Sequence, residues 1–159
     1  MKTYNILFLC THNSARSVLG EALASTHPSG KFIGYSAGST PGTSVNPIAA
    51  DLAAEMGMDR TLLKSKSWDV FGEPNAPKMD FIITVCDNAA GEVCPFWPGQ
   101  PATAHWGFPD PSQVQGSDLE KKAAFVEVMN GLKKRLDILA AMPLDKLDSM
   151  SLKEVHTKA

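Results

Sequence analysis

The 159-residue sequence is poor in cysteine, with three, and has no excess of positive charge: 15 Lys and Arg stand against 17 Asp and Glu, a formal net charge of -2. It therefore lacks the overall basic field that draws a protein onto nucleic acid or anionic lipid. Neither a nucleic acid nor a membrane is an expected partner. No apolar run approaches the ~20 residues that a membrane span needs. The stretch after Met1-Lys2-Thr3-Tyr4-Asn5 is only Ile6 to Leu9, too short for a signal-peptide core, and no small-residue cleavage site follows it. A cytoplasmic location is the expectation. In that reducing compartment, three cysteines read better as chemistry than as structural staples. Cys86 and Cys94, eight positions apart, together with scattered histidines, do not make the closely paired spacing of a zinc site. No metal and no bound cofactor are expected. Internal repeats, linkers and low-complexity tracts are absent as well.

What is present suits one packed domain, for 43% of the residues are hydrophobic. It is expected over residues 1–142, with a C-terminal tail at 143–159. Strand and helix patterns alternate from the start, the signature of an α/β fold with a parallel sheet. Tyr4 to Leu9 is a continuous apolar run suited to a central strand buried on both faces. It ends at Cys10. Ser17 to Ser25 carries Val18, Leu19, Ala22 and Leu23 at helical spacing. Lys31 to Ala37 reads as a second strand. Asn46-Pro47 predicts a capped helix with Ile48, Leu52 and Met56 on one face, ending at Gly57. Met79 to Val85 is a third buried strand, and it ends at Cys86. Ala102 to Trp106 is a short strand-like piece within a Pro-, Gly- and Trp-rich stretch. Ser117-Asp118-Leu119-Glu120 has the pattern of a capping box, opening a helix whose apolar face includes Phe125, Val128, Met129, Leu132, Leu136 and Leu139.

Cys10-Thr11-His12-Asn13-Ser14-Ala15-Arg16-Ser17 joins the first strand to the first helix. Backbone N–H groups in such a loop converge near the positive end of the helix and favour an anion. The same groups and Arg16 stabilise a thiolate, lowering a cysteine's pKa from its free value of about 8.5. Arg16 supplies a planar fork for two oxygens of a phosphate-like ligand. Ser17 can hydrogen-bond the sulfur, and small Ser14 and Ala15 let the backbone approach the ligand.

With its C-x5-R-S loop near the N-terminus, the sequence resembles the low-molecular-weight protein tyrosine phosphatase family over nearly the whole chain. The resemblance implies a four-stranded parallel sheet with helices on both faces. It also implies an Asp-Pro pair whose aspartate is a general acid, matched here by Asp110-Pro111. In some members a potassium ion sits beside the loop. Asn13, Glu21 and Ser36 fit part of that site, while Trp68 stands where an aspartate would complete it.

Hydrolysis of a phosphate ester has no use for Cys86 and Cys94. A thiolate adduct of arsenate, attacked at sulfur by a second thiol, expels arsenite and leaves one disulfide, which carries the two electrons between As(V) and As(III). Through these cysteines and His105-Trp106-Gly107-Phe108-Pro109-Asp110-Pro111, the sequence also resembles the thiol-linked arsenate reductases built on the phosphatase fold. Ser112 and Gln113 follow the Asp-Pro where phosphatases commonly carry aromatic residues. The resemblance implies a relay. Cys10 attacks arsenate, Cys86 attacks the Cys10 adduct, and Cys94 attacks the resulting disulfide at Cys86. An external thiol reductant, thioredoxin or glutathione with glutaredoxin, would reset it. Phosphate or sulfate can occupy the same loop. Two other readings stay open: a phosphatase using the same loop, and a non-catalytic anion-binding or redox-sensing module.

Overall fold

The computed structural model describes residues 3–10, 15–38, 45–58, 63, 65–67, 69–70, 77, 79–85, 102–106, 111 and 114–141. Among these residues the elements follow in the order β1 (Tyr4–Cys10), α1 (Arg16–Ser25), β2 (Phe32–Gly38), α2 (Pro47–Glu55), β3 (Phe81–Thr84), β4 (Ala102–His105) and α3 (Asp118–Ala141). The sheet order is β2-β1-β3-β4, and every pairing is parallel. The parallel α/β architecture expected from the sequence is therefore present.

β1 has a partner on each side, Cys10 lying opposite Gly38 in β2 and Leu9 opposite Thr84 in β3. Its side chains alternate between two cores, which is why its apolar run is unbroken. Tyr4, Ile6, Phe8 and Cys10 join a large cluster with residues of α1, α2 and α3, whereas Leu7 and Leu9 join a smaller one with Ala37, Met79 and Ile82. All three described helices contribute to the large cluster and none to the small one, so among the described residues no helix covers the second face.

α3 follows the predicted stripe. Phe125, Val128, Leu132, Leu136 and Leu139 are buried, and Met129 packs at the margin. Each fully buried leucine contributes about 1.5–3 kcal/mol. The capping box forms: Ser117 Oγ accepts from the Glu120 N–H at 3.2 Å, and Glu120 Oε1 accepts from the Ser117 N–H at 3.5 Å. The far end of α3 is clasped to the turn after α1. His27 Nε2 meets Asp137 Oδ1 at 2.7 Å, and Lys31 Nζ donates to the Ala140 carbonyl at 2.6 Å.

α2 begins as predicted, Asn46 Oδ1 accepting from the Ile48 N–H at 2.9 Å with Pro47 in the first turn. Its buried face differs from the expected one. Ala49, Ala50, Leu52 and Ala53 are buried, while Ile48 and Met56 pack only at the edge of the core. The reason is steric: α2 lies against α1, and small side chains allow two helices to approach closely where larger ones hold them apart.

α1 is seated on the sheet by two glycines. A Cβ at Gly20 would lie 2.6 Å from the Phe8 ring, and one at Gly34 in β2 would overlap the Glu21 carbonyl oxygen. Both positions therefore need the absence of a side chain, and together they fix where α1 starts relative to the end of β1.

Candidate oxyanion-binding site at the carboxyl end of the sheet

Cys10 is the last residue of β1, a buried thiol outside any disulfide, 5% exposed. Arg16 opens α1 one residue earlier than the periodicity suggested; it is half-buried, and Ser17 after it is wholly buried. Ala15 precedes them as the N-cap, with its carbonyl accepting from the Leu19 N–H at 3.0 Å. The central strand and the helix docked on it thus bring Cys10, Ala15, Arg16 and Ser17 to one edge of the sheet. Thr11, His12, Asn13 and Ser14 lie outside the described residues.

The start of α1 differs chemically from those of the other helices. Asn46 caps α2 and Ser117 caps α3 with a side-chain oxygen. The N-cap of α1 is an alanine, which has no side-chain acceptor, and its first turn, like that of α2, carries no acidic residue. A helix N-terminus bears about half a positive charge on N–H groups that seek an acceptor. That end of α1 is suited to an anion supplied from outside the helix.

β3 and β4 run to the same edge. The Val85 N–H donates to the Leu9 carbonyl at 2.9 Å and the Trp106 N–H to the Thr84 carbonyl at 2.7 Å. Trp106 is completely buried, as befits an anchor at the end of β4. Cys86, Cys94 and Asp110, the other expected catalytic residues, lie outside the described residues.

Behind the start of α1 is a polar cluster. Glu21 of α1 is only 8% exposed, and its Oε1 accepts from the buried Ser36 hydroxyl at 2.6 Å. The Lys66 ammonium lies 3.7 Å from the same oxygen. Burial pushes the Glu21 carboxyl above its ordinary range, opposed in smaller measure by the Ser36 hydrogen bond and by Lys66. Nearby Tyr35 is raised too, first by burial and then by the Glu21 charge. Lys66 is held from the edge of the sheet: its carbonyl accepts from the Gly38 N–H at 2.9 Å, and Ser67 forms a parallel bridge with Gly38. Glu21 and Ser36, two of the residues that fit part of the potassium site of some family members, meet here although no metal is expected in this chain, and the sequence reading did not single out Lys66. The signal available was Glu21 itself, a carboxylate among Val18, Leu19, Ala22 and Leu23 that requires a cation when buried. Among the described residues the cluster is ill suited to potassium, because an ammonium stands 3.7 Å from a carboxylate oxygen that the ion would need.

Residues 5–152 match the family described as low molecular weight phosphotyrosine protein phosphatase. The chain belongs to that family. Among its relatives, an arsenate reductase of Halalkalibacterium halodurans is 36% identical over 135 residues, covering 85% of this chain and 94% of that protein. An arsenate reductase of Bacillus subtilis is 34% identical over 136 residues, with 86% and 94% covered. Among solved structures, an arsenate reductase in a phosphate-binding state superposes with a TM-score of 0.64 at 28% identity, covering 89% of this chain and 98% of that one. Within the family, then, this chain is similar to arsenate reductases over nearly their full length.

Proposed function

We propose that this family member is an arsenate reductase. The observation that carries the reading is the buried Cys10 thiol at the end of the central strand, paired with a helix that opens on Arg16 and whose N-cap has no side-chain acceptor. The named activity of its relatives selects redox chemistry over hydrolysis.

In the proposed reaction, the Cys10 thiolate attacks arsenic while Arg16 and the loop from Thr11 to Ser17 hold the arsenate oxygens. Asp110 protonates the departing oxygen, which leaves as water. Cys86 then attacks the Cys10 sulfur. The sulfur–arsenic bonding pair stays on arsenic, arsenite departs, and a Cys10–Cys86 disulfide forms. Cys94 attacks that disulfide at Cys86, releasing the Cys10 thiolate and leaving a Cys86–Cys94 disulfide. A thioredoxin or a glutathione–glutaredoxin pair supplies the two electrons that reset it. The proposed setting is the reducing cytosol, where such donors are found.

Replacing Cys86 with serine tests the relay: oxyanion binding should persist while multiple turnover with either donor stops. Full turnover in C86S contradicts it. The description of the family itself favours a second reading, hydrolysis of an aryl phosphate by Cys10, Arg16 and Asp110. It requires that the main activity survive loss of both Cys86 and Cys94.

A further inference from the structure

A carboxylate among apolar residues needs a cation, and in this chain the cation is covalently attached. Glu21 Oε1 receives the Ser36 hydroxyl at 2.6 Å and faces Lys66 Nζ at 3.7 Å. The lysine side chain is 26% exposed and that of Glu21 11%. Lys66 does not reach this position by chance of a flexible stem. Its backbone is tied to Gly38, and Gly38 is the residue in register with Cys10. On the other side, Glu21 sits in the helix that Arg16 opens, against the backbone of Gly34. The pair therefore links the edge of the sheet at Gly38 to the middle of α1, the two elements that define the mouth of the loop.

We infer that the Lys66 ammonium is the resident counter-cation of the Glu21–Ser36 pocket, so that this chain holds no alkali-metal ion there and gains nothing from potassium. An ammonium and a potassium ion carry the same charge, and both take oxygen ligands. A tethered ammonium has the advantage of high effective concentration. Removing it exposes a buried oxygen cluster with a net negative charge, which a monovalent ion of suitable size can enter.

The test is the melting temperature of the full chain in potassium chloride and in choline chloride at equal ionic strength, for the wild type, K66M, K66R and the double variant E21Q/K66M. The wild type should melt at the same temperature in both salts. K66M should fall by roughly 4–10 °C in choline chloride, and it should regain part of that loss in potassium chloride. K66R should stay close to the wild type, and E21Q/K66M should be relieved of the loss and indifferent to potassium. Repair of K66M by either potassium or the added E21Q supports the inference. A saturable, potassium-specific rise in the wild type overturns it, as does a loss in K66M that neither one repairs. If K66M does not fold, folding of E21Q/K66M supports the inference and its failure to fold overturns it. The melting curves read the cation whether or not the protein reduces arsenate. The rise in melting temperature on adding inorganic phosphate then asks whether the pocket also supports the loop. On the oxyanion reading that rise should shrink in K66M in choline chloride and return with potassium.

Discussion

Substituting alanine at Gly34 and at Gly20 should have different outcomes although both residues lie where α1 meets the sheet, Gly34 in β2 and Gly20 in α1 itself. At Gly34 the new Cβ would overlap the Glu21 carbonyl oxygen and stand 2.8 Å from the Glu21 Cα, 0.6 Å short of the 3.4 Å at which ordinary contact begins. Both obstacles are backbone, so α1 as a whole has to move. Overpacking of this kind costs about 1–3 kcal/mol, and the upper end applies because no side chain can yield. In a domain of this size, about 3 kcal/mol corresponds to a fall in melting temperature of roughly 6–12 °C. At Gly20 the obstacle is the Phe8 ring, 2.6 Å from the new Cβ. The clash is offset by the helical preference for alanine over glycine, worth about 1 kcal/mol. G20A should therefore lose about 0–2 kcal/mol, and adding F8L, which removes the ring, should improve it. Differential scanning calorimetry of G34A, G20A and G20A/F8L measures all three. Phosphate protection should also weaken in G34A, because α1 carries Arg16 and Ser17. A G34A protein melting within a degree of wild type would refute the seating of α1 on β2, and G20A unimproved by F8L would refute its seating on Phe8.

Three further outcomes are expected. N46A removes the acceptor for the Ile48 and Ala49 N–H groups and should cost about 1 kcal/mol, read as a shift in the midpoint of urea unfolding. Burial holds the Glu21 carboxyl above its ordinary value of 4.5, so the folded chain binds that proton more tightly than the unfolded one. Its contribution is greatest below 4.5 and is lost as pH rises through the raised folded value, with a slope of at most about 1.4 kcal/mol per pH unit. E21Q should flatten the pH profile of stability in that window, and an unchanged profile would exclude Glu21 as its source. R16K keeps the charge but loses the planar fork; phosphate affinity, followed by calorimetric titration, should fall roughly ten- to a hundredfold with little change in melting temperature.

The sequence made the strands and the long helix legible wherever periodicity was strong. The unbroken run from Ile6 to Leu9 marked a strand buried on both faces, and the stripe from Phe125 to Leu139 marked the core face of α3. Cys10 and Arg16 were recognisable because a loop between an apolar strand and a helix places them together. α2 was legible as a helix but not in its orientation: alanines give little hydrophobic signal, yet they permit the close helix contact that turns Ala49 and Ala53 inward. Lys66 was illegible because it belongs to no periodic element. Its position depends on a backbone bond to Gly38, 28 residues earlier in the chain, and no local pattern encodes such a contact. The register of Gly34 against Glu21 is likewise tertiary, visible in the sequence only as a glycine in a strand.

The most direct measurement of the central claim is a single turnover of the fully reduced protein with arsenate and no added reductant, quantifying arsenite and remaining thiols together. The account predicts one equivalent of arsenite per chain with the loss of two thiols, and neither change in C10S. Absence of arsenite from protein that binds phosphate and hydrolyses an aryl phosphate at full rate without Cys86 and Cys94 would contradict it.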